Sequence, residues 1–207
     1  MTSRIANIAR KSVVIVADNN DTDGYCSGCV LRKTHRTVTI ITSKNFVLGI
    51  EDQLKVIFFD RIELQAIVVA VDDTFCLLVT DFHRDCEAIK LMENEDSLVP
   101  GPTFMFAPIS QTANQRLTTF ATVESLSSYT LDEIDLEEAD SSNYFLVSCP
   151  YMETTCDGID RLVAAPVFNL QGNTAGIVLE CLRDVNDEPE AAEIKIVLKA
   201  SYIDEIF

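Results

Sequence analysis

The residues in this chain that could do chemistry are few. Seven cysteines stand at 26, 29, 76, 86, 149, 156 and 181, and there are two histidines, His35 and His83. Cys26-x-x-Cys29 could supply half of a zinc site, but a closed site needs about four Cys/His ligands. Six residues separate Cys149 from Cys156, and neither histidine pairs with another ligand at short spacing. If 26–31 is a strand, Cys26 and Cys29 also point to opposite faces. No metal ligand set and no cofactor is expected. A thiol hydrolase would need a cysteine beside a histidine. His35 lies in the basic turn Arg32-Lys33-Thr34-His35-Arg36 and His83 in DFHRDCE, and both read as exposed loop residues. Cys149 or Cys181 could still fall near a cleft. The loop Asp160–Pro166 precedes a hairpin, where several hydrolases place a nucleophile, yet it holds no Ser, Thr, Cys or His. Glycine-rich phosphate cradles are absent.

The elements that would position these residues are short strands rich in Val, Ile, Phe and Thr, with turn signals between them. They run over 12–16, 29–31, 38–42, 54–59, 64–71 and 75–82, less clearly over 88–92, and then over 103–108, 117–126, 144–149, 166–170 and 176–182. The segment 93–102, with two prolines and a glycine, marks a boundary. The tail 190–207 carries apolar residues at helical spacing. This pattern predicts an all-β protein of two six-stranded antiparallel Greek-key barrels with a C-terminal helix. The division is 1–98 for the first barrel, 99–185 for the second and 186–207 for the helix and tail.

Charge is lopsided. Residues 1–100 carry 11 basic against 15 acidic residues, a net of −4, and residues 101–207 carry 5 against 18, a net of −13. Six acids fall within TLDEIDLEEAD, residues 130–140. Such a surface repels nucleic acid and anionic lipid, and it favours a basic protein partner or simply solubility. The basic cluster 32–36 runs against this trend, as a solvated hairpin tip or as a contact for an acidic partner. No apolar run approaches a membrane span of ~18 residues. An odd number of scattered cysteines suits an intracellular protein of the cytoplasm or nucleus, with the thiols as small buried residues.

Four segments then fall into a familiar order. Cys26-Ser27-Gly28-Cys29-Val30-Leu31 resembles Gly-Ser-Gly-Phe-Val-Ile, and Ile41-Thr42-Ser43-Lys44-Asn45-Phe46-Val47 resembles Val-Thr-Asn-Ala-His-Val-Val. Phe75-Cys76-Leu77-Leu78-Val79 resembles Asp-Leu-Ala-Leu-Leu, and the stretch 161–169 resembles Gly-Asn-Ser-Gly-Gly-Pro-Val-Phe-Asn. Together they resemble the Do-like (high-temperature-requirement) branch of the trypsin-like serine proteases. YFLVSCPY at 144–151 is similar to degenerate plant members.

The resemblance puts the catalytic histidine at Asn45, the aspartate at Phe75 (Cys76 if the register slips by one) and the serine at Val163. Those side chains supply no imidazole, no carboxylate and no nucleophile. The glycine that helps form the oxyanion hole is replaced by Arg161. The implied function is that of a catalytically inactive homologue, not an enzyme, that binds a protein or extended peptide in the cleft between the barrels or regulates it. An active hydrolase with relocated residues and a structural subunit of a larger assembly are the alternatives. Oligomeric state is left open.

Overall fold

A computed structural model describes residues 3–21, 24–93, 101–110, 115–124, 143–149, 155–156, 159–160, 162–182 and 193–206. Arg161 and the acidic stretch 130–140 lie outside them.

The chain opens with helix α1 (Ser3–Ser12) and continues through β1 (Val13–Asp18), β2 (Tyr25–Lys33), β3 (Thr37–Ser43), a short helix α2 (Lys44–Val47), and a 3₁₀ turn at Glu51–Gln53. Strands β4 (Leu54–Ile57), β5 (Glu63–Val71) and β6 (Phe75–Asp81) follow. These six strands close into a barrel in the order β1-β2-β3-β6-β5-β4. The second half contains β7 (Gly101–Ser110), β8 (Gln115–Glu124), β9 (Tyr144–Cys149), the two-residue strands β10 (Thr155–Cys156) and β11 (Ile159–Asp160), then β12 (Pro166–Phe168), β13 (Thr174–Leu182), β14 (Glu193–Lys199) and α3 (Ala200–Ile206). Its barrel closes as β7-β8-β9-β14-β13-β12, with β10 and β11 paired separately. Both barrels therefore share one Greek-key order, first-second-third-sixth-fifth-fourth, although no sequence repeat announces it. Two six-stranded antiparallel barrels and a C-terminal helix are what the strand pattern predicted.

Why the strands bury as they do follows from the two-period of a pleated chain. Val14 and Val16 of β1 enter the first barrel's core with Ile40, Leu54, Phe58 and Leu78. Their alternates face outward but are covered too. Val13 packs on Ala9 of α1 and on Phe104 and Phe168 of the second barrel, while Ile15 and Ala17 pack on Tyr25 and Ile57. A strand covered on both faces needs a continuous apolar run, and Val-Val-Ile-Val-Ala is one.

Three local readings change. First, 3–12 is helical. Its last turn carries Arg10 and Lys11, favourable at a helix C-terminus, and Lys11 pairs with Glu87 at 2.9 Å. Second, the tail is not helical throughout. Glu193–Lys199 is a strand held by β9 on one side and β13 on the other, and only Ala200–Ile206 is helix. The pattern E-I-K-I-V-L-K satisfies both a two-period and a helical period, and the two waiting sheet edges decide between them. Third, 88–92 is an extended link rather than a strand. It stitches the barrels, through Ile89 N–H to the Val30 carbonyl (2.8 Å), Met92 N–H to Thr174 (3.0 Å) and Thr174 N–H to Lys90 (2.7 Å). Among the described residues no helix is long and apolar enough to cross a membrane.

Candidate functional site

The site expected from the sequence lies where the barrels meet. β3 delivers α2, whose Phe46 and Val47 are buried in the first barrel while Asn45 is exposed. The Lys44 N–H donates to the Thr74 carbonyl at 2.9 Å, and its Nζ donates to the Asp73 carbonyl at 3.2 Å. Together they tie α2 to the β5–β6 hairpin. Thr74 is thus the residue whose backbone meets α2, one position before Phe75. Phe75 pairs with Ser43 across β3 and β6.

Phe75 is 1% exposed. Its ring belongs to an apolar cluster that joins Cys29 and Ile41 of the first barrel to Ala164, Ile177 and Leu198 of the second and Ile203 of α3. Val163, half-buried, packs against the same cluster. The fold therefore brings Phe75 and Val163 together in a dry seam and leaves Asn45 outside it in solvent. A seam so packed offers these two positions contact rather than chemistry.

The turn that carries Val163 is held tightly. Ala164 N–H donates to the Val178 carbonyl (2.8 Å), Val178 N–H to Ala165 (2.9 Å), and Ala165 N–H to Leu162 (2.8 Å). Ala164 has φ 67°, a left-handed conformation that costs a residue with a Cβ about 1–2 kcal/mol. Strain of this kind persists only where the surroundings over-determine the backbone.

Tyr144 at the start of β9 has its phenol raised by burial, with Tyr202 of α3 and Asp72 of the β5–β6 hairpin adding to the shift. Sequence reasoning did not single out these three groups from three separate elements, because only the tertiary fold brings them close.

Five of the seven cysteines have described side chains; those of Cys156 and Cys181, the latter weighed as falling near a cleft, lie outside the described residues. Cys26, Cys29, Cys76, Cys86 and Cys149 are buried and form no disulfide among the described residues. Cys26 faces the first barrel's core while Cys29 faces the seam, so the two thiols of the C-x-x-C pair diverge. Burial pushes the Cys26 thiol up to about 12 and raises Cys29, Cys76 and Cys86 as well. A thiol so raised holds its proton at neutral pH and is a poor nucleophile. Cys149 packs inside the second barrel, and Cys76, the alternative aspartate position, inside the first.

His35 is exposed at the hairpin tip, but His83 is not the surface residue expected. At 3% exposure it stacks on Phe58 with ring centroids 4.2 Å apart. Its Nδ1 accepts the Cys86 N–H at 3.1 Å, so Nε2 is left to donate to Asp60 at 3.0 Å. The ring pins the loop after β6 to the β4–β5 turn, and among the described residues no thiol hydrogen-bonds the ring: Cys86 Sγ donates to the His83 carbonyl. Among the described residues no group of three or more His, Cys, Asp or Glu is placed to hold a metal ion.

No protein-family model and no curated protein matches this sequence. Solved structures do match in fold. A crystal structure of Rv3671c from M. tuberculosis, a serine-to-alanine mutant in an inactive form, superposes with a TM-score of 0.67 at 16% identity, over 97% of this chain and 87% of that one. A second structure, of the Rv3671c protease in an inactive form, gives 0.66 at 13% identity, over 97% and 89%. These neighbours correct one expectation. They are protease structures, so the statement that this chain is not an enzyme has no support. What the likeness and the strand order establish is the two-barrel fold of the trypsin-like proteases.

Proposed function

We propose that the chain binds an extended segment of a protein partner along β13, beside the turn that carries Val163. The observation behind this is an open edge. β12 covers β13 only from Thr174 to Ile177, and the Ala164–Val178–Ala165 hydrogen bonds close the next step. After a bulge at Leu179, β14 pairs one side from Glu180 to Leu182, and among the described residues no strand pairs the other. Such an edge takes up an extended peptide as an added strand, and that peptide would run past Val163 and Ala164. The net of −13 over residues 101–207 favours a basic segment. The segments 26–31, 41–47 and 161–169 support a place near the Do-like branch of the fold. Five buried cysteines that form no disulfide among the described residues support a reducing compartment, cytoplasm or nucleus.

Hydrogen exchange tests this reading. With a bound partner, the amides of Leu179–Leu182 and of the loop 160–165 should be protected, and affinity should weaken between about 50 and about 300 mM salt. A confirmed partner that leaves both segments unprotected refutes the groove. A flat salt response refutes the basic character of the partner alone.

A further inference from the structure

We propose that one end of the first barrel, remote in sequence from the β13 edge, is a docking surface for an acidic segment of another protein. The chain carries 33 acids against 16 bases, so its cations have ample opportunity to pair. Lys11 and Lys55 do so, with Glu87 and Glu63. Arg32, Arg36 and Arg84 do not: all three are exposed, and among the described residues none of them is in an ion pair.

The fold gathers them. The β2–β3 hairpin and the loop after β6 leave the barrel at the same end, since Thr37 pairs with Asp81. Lys33 joins the two, its Nζ donating to the carbonyls of Arg84 (2.6 Å) and Cys86 (2.7 Å) and lying 5.1 Å from the Phe82 ring centroid.

Both loops are fixed in shape. Thr34 Oγ1 accepts the N–H groups of Arg36 (3.2 Å) and Thr37 (3.0 Å), which sets the hairpin tip, and the His83 pin sets the other loop. Arg36 and Arg84 are therefore exposed on two rigid loops that Lys33 joins, with Arg32 exposed beside it at the end of β2. Phe82, 43% exposed, supplies an apolar surface beside Lys33 at the same end.

Of the nearby acids, Asp60 is engaged by His83. Asp81 and Asp85 remain, against the four cations Arg32, Lys33, Arg36 and Arg84, with His35 at the tip. Guanidinium groups bind carboxylates through paired N–H donors. A short acidic segment with an apolar side chain for Phe82 matches this arrangement. A nucleic acid does not, because its long run of phosphates meets the repulsion of a −17 chain. A short peptide feels mainly the charges within a Debye length of ~8–10 Å.

The probe is a fluorescein-labelled Asp/Glu-rich peptide of about a dozen residues with one leucine, followed by polarisation at about 100 mM salt. The triple variant Arg32→Gln, Arg36→Gln and Arg84→Gln should bind at least about tenfold more weakly, and Phe82→Ser about threefold. The double variant Lys11→Gln and Lys55→Gln should stay within about twofold. Circular dichroism should show the triple variant folded, because the three side chains are exposed; if it does not fold, Arg36→Glu alone at the hairpin tip should weaken binding at least about fivefold. Undiminished binding by the folded charge variants overturns the proposal. So does a single-stranded oligonucleotide of equal charge that binds more tightly than the peptide and loses that binding in the same variants.

Discussion

Phe75→Ala tests whether the barrels are joined by the packed seam described above or face each other across an open cleft. The ring is 1% exposed and packs among Ile41, Ile177, Leu198 and Ile203, side chains that come from both barrels and from α3. Deleting a buried phenyl ring costs about 3–5 kcal/mol when the surroundings relax only partly. Relaxation is hindered here because Phe75 also sits in register opposite Ser43, and the Lys44–Thr74 hydrogen bond fixes the hairpin next to it. Domain stabilities lie near 5–15 kcal/mol, so this single change removes a large share. For a chain of about 200 residues, each kcal/mol moves the melting midpoint by about 2–4 °C, which gives a fall of about 6–20 °C. The loss falls on a surface both barrels share, so far-UV circular dichroism should show them melting together at the lower temperature. Asn45→Ala, at an exposed position of α2, should stay within about 0.5 kcal/mol of wild type. A Phe75→Ala protein that melts within about 2 °C of wild type would refute the packed seam.

Two further outcomes follow from local geometry. A Cβ on Gly176 would collide with the Leu198 carbonyl oxygen and lie 2.8 Å from a Val197 methyl. Gly176→Ala should therefore force β13 from β14 and cost at least about 2–3 kcal/mol in a denaturant titration. Gly49→Ala, which meets open space at φ +90°, should cost only about 1 kcal/mol; equal losses in the two would show that contact is not the cause. Cys26, Cys29, Cys76 and Cys86 should resist iodoacetamide in the native protein at neutral pH and react once it is unfolded, as read by mass spectrometry. Because burial raises these thiols above the unfolded value of 9.0, the stability they contribute is complete below about pH 9. It declines as pH rises toward the folded value of about 12 for Cys26, by at most about 1.4 kcal/mol per pH unit for each thiol. Stability that stays level from pH 9 to pH 11 would contradict the buried, protonated state.

Much of this was legible in the sequence, and the reasons are physical. Strands β3, β5, β6 and β13 carry enough Val, Ile, Leu and Thr at a two-residue period for their positions to be read within a residue or two. The run of short strands on either side of the break at 93–102 was enough to suggest the barrel pair, and the order of four short segments suggested the likeness to trypsin-like proteases. The misreadings share a cause: tertiary partners decide them. Isolated Glu193–Lys199 serves helix or strand equally, until β9 and β13 offer hydrogen bonds on both sides. His83 lies in the polar string DFHRDCE and reads as surface, but Phe58, Asp60 and the Cys86 amide together give it a buried place. Tyr144, Asp72 and Tyr202 are far apart in sequence, so no spacing rule could have joined them.

The seam also explains why the binding reading rests on β13 and not on the three positions singled out by resemblance. An apolar cluster that includes Phe75, Ala164 and Ile177, with Val163 on its border, is stabilising because it is dry. A ligand that entered between those side chains would have to replace every contact it broke. The edge of β13 beyond Val178 has no such cost, since its outward backbone groups are not committed to a strand among the described residues. Ala164 connects the two regions. Its left-handed backbone turns the chain out of the seam, while its N–H holds the Val178 carbonyl at the place where the open edge begins. A partner strand laid along Leu179–Leu182 would extend the pairing that Ala164 and Ala165 start. Occupation of that edge should therefore be felt first as tighter protection of the Ala164 amide, before any change within the seam itself.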